Sequence, residues 1–210
     1  MVRVKICGIT REKDLIAAID AGADAIGFVV GFKASPRNIS IEKLSELSKM
    51  VPPFVSTVLV TEQNYLEANI DVINHLRIDA IQLYGCNEPE RIRKIMNIDL
   101  LKPYLVGGEQ IDPKSAVDGF DALLCDVYKK GVMGGTGILQ DFDACIKIKK
   151  EIYPKPLILA GGLSPDNVHE AIIKVRPYGV DASSKLETSP GVKDEVSVMK
   201  FVKNAKGCDV

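Results

Sequence analysis

Met1–Val30, MVRVKICGIT REKDLIAAID AGADAIGFVV, already contains one full structural unit. A short apolar run, Arg3–Cys7, leads to an amphipathic stretch, Glu12–Ala21, and then to a second apolar run, Asp24–Val30. Short apolar runs bounded by glycine, proline or charge read as strands, and the stretch between them has helical spacing. Strand, helix, strand implies parallel strands joined by a helical crossover. The turn leaving the first run, Cys7-Gly8-Ile9-Thr10, holds one glycine. An open doubly wound sheet would normally carry a glycine-rich phosphate loop there, which makes that architecture the runner-up. Thr10 is placed to cap the helix, with Lys13 where a capping-box Glu would stand.

The same unit repeats to the end of the chain. Further strands are expected at Phe54–Val60, Asp79–Tyr84, Leu100–Tyr104, Phe120–Asp126, Leu157–Ala160 and Gly179–Ser183. Helices are expected at Ile41–Met50, Asn64–His75, Glu88–Met96, Asp141–Glu151, Pro165–Val175 and Lys193–Lys206, with a shorter one at Gln110–Val117. Ser164-Pro165 puts a capping serine before a proline at the first helical position. Eight strands alternating with eight helices predict a (β/α)₈ barrel, the TIM-barrel fold, near the lower end of its size range. Residues 1–210 show no linker or break in composition, so one domain is expected.

Composition narrows the function classes. The 210 residues include 27 Lys+Arg and 28 Asp+Glu, a formal net charge of −1, which argues against nucleic acid or an anionic membrane surface as the main partner. A hydrophobic content of 46% excludes a disordered chain. No apolar run is long enough to span a bilayer, and the opening MVRVKICGIT lacks the apolar stretch of a signal peptide. The five cysteines are odd in number and show no C-x-x-C spacing, and there are only two histidines. Neither a disulfide framework nor a metal site is indicated, and a reduced, cytoplasmic protein is expected.

In such barrels the chemistry sits where strands end. Those ends carry Cys7, Ser35-Pro36-Arg37, Gln82-Leu83-Tyr84, Asp126 followed by Gly134-Gly135-Thr136-Gly137, Ala160-Gly161-Gly162, and Asp181 with Ser183-Ser184. Strand parity puts Lys5 and Cys7 inside the barrel, and Ala122, Leu124 and Asp126 likewise. A buried Lys5 ammonium needs an acidic partner such as Asp181 or Asp126. Gly161-Gly162 and Ser183-Ser184 follow adjacent strands. Glycine lets a backbone approach an anion, so the pair of turns indicates a barrel of the phosphate-binding type, whereas either turn alone reads as a tight connection. Cys7 reads as a small buried hydrophobe or as a functional thiol at a strand top, and Asp126 as a cap or as a working carboxylate.

These strings resemble the phosphoribosylanthranilate isomerase family. They are Lys5-Ile6-Cys7-Gly8-Ile9-Thr10, Gly27-Phe28-Val29, Ser35-Pro36-Arg37, Gln82-Leu83, Gly134-Gly135-Thr136-Gly137, Ala160-Gly161-Gly162-Leu163, Ser183-Ser184 and Gly191-Val192-Lys193-Asp194. The resemblance implies an isomerase of tryptophan biosynthesis that rearranges N-(5-phosphoribosyl)anthranilate to 1-(2-carboxyphenylamino)-1-deoxyribulose 5-phosphate without a cofactor. It implies Cys7 as general base and Asp126 as general acid. Arg37 would hold the anthranilate carboxylate, Gln82 and Asp181 would bind substrate, and Gly161, Gly162, Ser183 and Ser184 would bind phosphate. The partner implied is a small phosphorylated substrate, with the chain a monomer or homodimer.

The sequence departs from the family at Lys185, where Gly is usual, at Tyr84, where His is usual, and at Ile138-Leu139-Gln140. Lys185 is expected to keep a negative φ and turn its side chain to solvent. Two other phosphosugar barrels compete with this reading. The histidine-pathway isomerase has an aspartate where this chain has Cys7, and indole-glycerol-phosphate synthase wants a lysine acid on another strand. A barrel that only binds a phosphorylated ligand is the alternative from outside enzymes.

Overall fold

The computed structural model describes residues 1–106, 111–127 and 141–208. Elements follow in the order β1 (Arg3–Cys7), α1 (Glu12–Asp20), β2 (Ala25–Val29), α2 (Ile41–Ser48), β3 (Ser56–Glu62), α3 (Gln63–Ala68), α4 (Ile70–Ile73) and β4 (Ala80–Tyr84). Then come α5 (Pro89–Arg93), β5 (Asp99–Val106), α6 (Pro113–Val117), β6 (Ala122–Val127), α7 (Phe142–Glu151), β7 (Leu157–Leu159), α8 (Val168–Val175) and β8 (Gly179–Ala182). The eight strands close into one parallel barrel in chain order, and β8 returns to β1 with Lys5 opposite Asp181. A hairpin of β9 (Glu187–Ser189) and β10 (Val192–Lys193) and a last helix, α9 (Glu195–Lys206), complete the described chain.

Side-chain alternation divides the interior. Val4, Ile6, Ile26, Phe28, Leu59, Ile81, Leu83, Leu123, Leu159 and Val180 point outward and pack under the helices with Leu15, Leu44, Leu66, Ile92, Ile172 and Phe201. The opposite parity fills the barrel. Val58, Ala80, Leu101 and Ala122 form a lower apolar plug with Ala25 and Ile158. Cys7, Val29 and Val60 form an upper patch with Phe32 and Tyr84. The lower rim is stapled in strand pairs. Asp24 accepts from Val4 N, Asp79 from Thr57 N and Asp121 from Leu100 N, each a carboxylate just before an even strand binding the backbone of the preceding odd one.

Four local expectations are corrected. The helix expected over Asn64–His75 breaks at Asn69, whose side-chain amide donates to Tyr65 O and competes with the helical ladder. The helix expected from Pro165 begins at Val168, because Asn167 closes the preceding turn, accepting from Ser164 N and donating to Gly162 O. Thr10 does not cap α1; its hydroxyl donates to Gly191 O, 2.6 Å away, in the β9–β10 turn. The last helix starts at Glu195 with Asp194 as cap, and Lys193 belongs to β10. Gln110, Gly134–Gly137 and Ile138–Gln140 lie outside the described residues.

Candidate active site

β1 sends Lys5 and Cys7 into the barrel, and the neighbouring strand gives them room. A Cβ at Gly27 on β2 would stand 2.7 Å from Cys7 Sγ and 3.1 Å from Lys5 Cε. Glycine in a strand interior weakens the strand and marks such a close approach. Gly27→Ala is therefore expected to overpack the barrel by about 1–3 kcal/mol. Urea denaturation of the variant measures this.

Lys5 lies at the centre of a buried polar bar crossing the barrel. Its Nζ donates to Asp181 Oδ1 at 2.9 Å and to Gln82 Oε1 at 2.9 Å. Gln82 Nε2 in turn donates to the Tyr84 hydroxyl at 3.1 Å. Lys5, Gln82 and Asp181 are all buried. Burial opposes the charge on Lys5 most strongly, but Asp181 and Cys7 together outweigh it and hold the ammonium above the ordinary lysine range. The expected partner of Lys5 is thus found in Asp181, as strand parity requires.

Cys7 is 7% exposed. Burial pushes its thiol up, the Lys5 ammonium pulls it down, Asp181 pushes it up and Lys193 pulls it down, with the net result above the ordinary cysteine range. Asp126 is the next-to-last residue of β6, on the inward parity of Ala122 and Leu124, and is partly exposed at the mouth. Its charge reaches Tyr84, whose phenol is pushed up to about 12, by burial first and then by Asp126 and Cys7. Tyr84 stands edge-on to Phe32, with ring centroids 5.4 Å apart.

A second cluster ties the loops after β1, β2 and β8 together. Arg37 Nε and Nη2 donate side by side to Glu187 at 2.8 and 2.6 Å. Lys193 Nζ, fully buried, donates to the same carboxylate at 2.7 Å and to Ser183 O at 3.2 Å. Burial works against the Glu187 charge, yet Arg37 and Lys193 hold its carboxyl below the usual range. A Cβ at Gly8 would strike Arg37 and Ser183, so the first loop passes directly beneath both. Sequence reading singled out Arg37 and Ser183 but not Glu187 or Lys193.

The two turns proposed for phosphate follow the adjacent strands β7 and β8. Gly161 and Gly162 have φ of +86° and +69°, a left-handed turn that glycine adopts without steric cost. Ser184 begins a short 3₁₀ turn, Ser184–Leu186, that contains Lys185. Lys185 keeps a negative φ, as its expected backbone role requires, and is half-buried. Carboxylate, thiol, ammonium groups and these turns occupy the carboxyl-terminal side of the strands, where barrels of this kind place their chemistry.

The family model for N-(5'-phosphoribosyl)anthranilate (PRA) isomerase matches residues 4–204. The chain belongs to the phosphoribosylanthranilate isomerase family. An N-(5'-phosphoribosyl)anthranilate isomerase of Geotalea uraniireducens is 40% identical over 224 residues, covering 99% of this chain and 100% of the relative. Monomers generated from the dimeric isomerase of Thermotoga maritima share 37% identity with a TM-score of 0.81, over 99% of this chain and 100% of theirs. An isomerase of the family in complex with reduced 1-(o-carboxyphenylamino)-1-deoxyribulose 5-phosphate shares 38% identity with a TM-score of 0.82, over 99% of this chain and 100% of that one. The family's enzymes act in tryptophan biosynthesis, and the sequence resemblance to phosphoribosylanthranilate isomerase holds over the full barrel. Among the described residues no helix is long and apolar enough to cross a membrane.

Proposed function

We propose that the chain converts N-(5-phosphoribosyl)anthranilate to 1-(2-carboxyphenylamino)-1-deoxyribulose 5-phosphate, with Asp126 as general acid and Cys7 as general base. Opening the furanose needs a proton on the ring oxygen, and Asp126 supplies it as the C1–O bond breaks and the nitrogen lone pair forms the iminium. The C2–H bond then gives its proton to the Cys7 thiolate, and the electron pair passes through C1 to the iminium nitrogen. The enolamine takes a proton at C1 as the C2 hydroxyl gives one up, which leaves the ketone. Arg37 receives the anthranilate carboxylate on the guanidinium edge that Glu187 leaves open. Gly161, Gly162, Ser183 and Ser184 surround the phosphate, and Asp181 and Gln82 order the sugar end of the site around Lys5. The scheme uses no metal or organic cofactor, and the site is read as cytoplasmic.

The observation that carries this reading is Cys7, turned inward at a strand top with the Lys5 and Lys193 ammonium groups acting on it. A purely structural cysteine needs neither. The test is fluorescence of substrate generated from anthranilate and phosphoribosyl pyrophosphate. Its anthranilate emission should change as the purified chain is added; emission unaltered over many minutes overturns the proposal.

We also propose a homodimer. Phe54 is fully exposed at φ +70°, beside a cavity of about 360 Å³ at the amino-terminal mouth that Tyr178 also lines. An aromatic ring held outward in strained backbone fits cover by a second copy of the chain. Sedimentation of the chain should give twice 22.9 kDa, and Phe54→Glu should give the single-chain mass. A monomeric parent chain overturns this.

A further inference from the structure

Gln82 and Tyr84 belong to the polar bar but face the mouth, and their hydrogen-bond directions are fixed by elimination. The Lys5 ammonium can only donate, so the Gln82 group that faces it at 2.9 Å is the carbonyl oxygen. That commits the Gln82 amide to donate, and it does so to the Tyr84 oxygen at 3.1 Å. The Tyr84 oxygen is therefore an acceptor from below, and its own hydrogen has no acceptor among the described residues. The ring cannot easily turn away, because it is packed edge-on against Phe32 and within the patch of Cys7, Val29 and Val60. The phenol is half-buried at the mouth, so its hydrogen is turned to a place that a ligand can reach.

We infer that Tyr84 contacts the substrate, its phenolic hydrogen donated to the C2 oxygen of the sugar chain. This rests on the rearrangement proposed above. Tyr84 packs against the patch that holds Cys7, and the charges of both Asp126 and Cys7 act on it, so it stands close to the groups assigned to the ring oxygen and to C2. A donor on the C2 oxygen withdraws electron density from C2 and makes its proton easier for Cys7 to remove. The same donor then holds the oxygen as it becomes a ketone. The high phenol pKa, about 12, keeps the hydrogen in place throughout the working range. Lys5 and Gln82 act on the reaction through Tyr84 as positioning residues, since the amide of Gln82 is engaged at both ends within the protein.

The experiment compares the parent chain with Tyr84→Phe and Tyr84→His on generated N-(5-phosphoribosyl)anthranilate, and measures binding of the reduced product analogue. Tyr84→Phe keeps the ring and the contact to Phe32 and deletes only the hydroxyl. Its kcat should fall about tenfold with little change in KM, and the analogue should bind several-fold more weakly, the worth of about one hydrogen bond. Tyr84→His restores an N–H donor near the same place and should recover most of kcat. A parent chain that turns substrate over beside a Tyr84→Phe variant within twofold of it in kcat overturns the inference alone. A parent chain with no turnover removes the functional reading and this inference with it. A loss confined to KM, or a melting temperature lowered in step with kcat, assigns Tyr84 a packing role and also overturns it.

Discussion

Cys7→Ser is expected to fold as the parent chain does and to lose turnover by about 10²–10⁴-fold, the usual contribution of a general base. Serine fills nearly the same space beside Gly27, so the barrel need not rearrange. Its hydroxyl ionises far less readily than a thiol, so the base is lost while the shape is kept. Cys7→Ala should be equally poor. The pH profile gives a second handle on the assignment. Burial sets the Cys7 thiol above its ordinary value of 9.0, with Lys5 and Lys193 limiting the rise. A general acid–base pair gives a bell-shaped profile whose alkaline limb reports the higher of its two pKa values, and the Cys7 thiol sets that limb. The alkaline fall of kcat/KM is therefore expected above pH 9. A fall beginning between about pH 7 and 8, or a Cys7→Ser variant of near-normal rate, removes the thiolate from the mechanism.

Asp181→Asn is expected to destabilise the fold by about 3–5 kcal/mol, because it strands a buried ammonium. The pair is close, at 2.9 Å, and both side chains are at most 10% exposed, so solvent cannot take over the lost role. Asparagine can still accept one hydrogen bond but carries no charge. The sign with pH follows from Lys5, whose pKa is raised in the fold. The stabilisation is complete below the ordinary lysine value of 10.5 and is lost only as pH climbs through the higher folded value. Adding Lys5→Met to Asp181→Asn removes the stranded charge and should recover part of the loss. Urea denaturation of the single and double variants measures this. Equal midpoints for the two would mean that Lys5 is not held as an ammonium by Asp181.

The architecture and the inward parity of Lys5 and Cys7 were readable because both rest on periodicity. Strands of five residues alternate in and out, and one wrong register would have put Val4 and Ile6 inside and Lys5 among the helices. The strand ends pointed to Cys7, Arg37, Asp126 and the two turns for the same reason. Other parts leave no periodic trace. Gly27 matters through the side chain it lacks, and nothing in Gly27-Phe28-Val29 says which neighbour needs the space. β9 and β10 are three and two residues long, too short to alternate, so Lys193 was read into the following helix. Glu187 acquires its guanidinium partner, Arg37, from 150 positions away in the chain. Phe54 has the apolar character of a strand start, but its left-handed backbone turns it outward before the strand begins at Ser56.

The lower rim and the site differ in how much chain must exist before they can form. The three aspartate staples join residues 20, 22 and 21 positions apart, so each strand pair can close within its own stretch as synthesis proceeds. Lys5 must wait for Asp181, 176 positions later, and Arg37 for Glu187, 150 positions later. Loop closure over such separations comes late, and an unfinished chain carries a lysine and an arginine whose partners are not yet made. The first-made strand thus ends up with its charge unmet until the last strand of the barrel has left the ribosome. In a barrel built this way, the Cys7 thiol gains its electrostatic setting in the same step that seals the sheet.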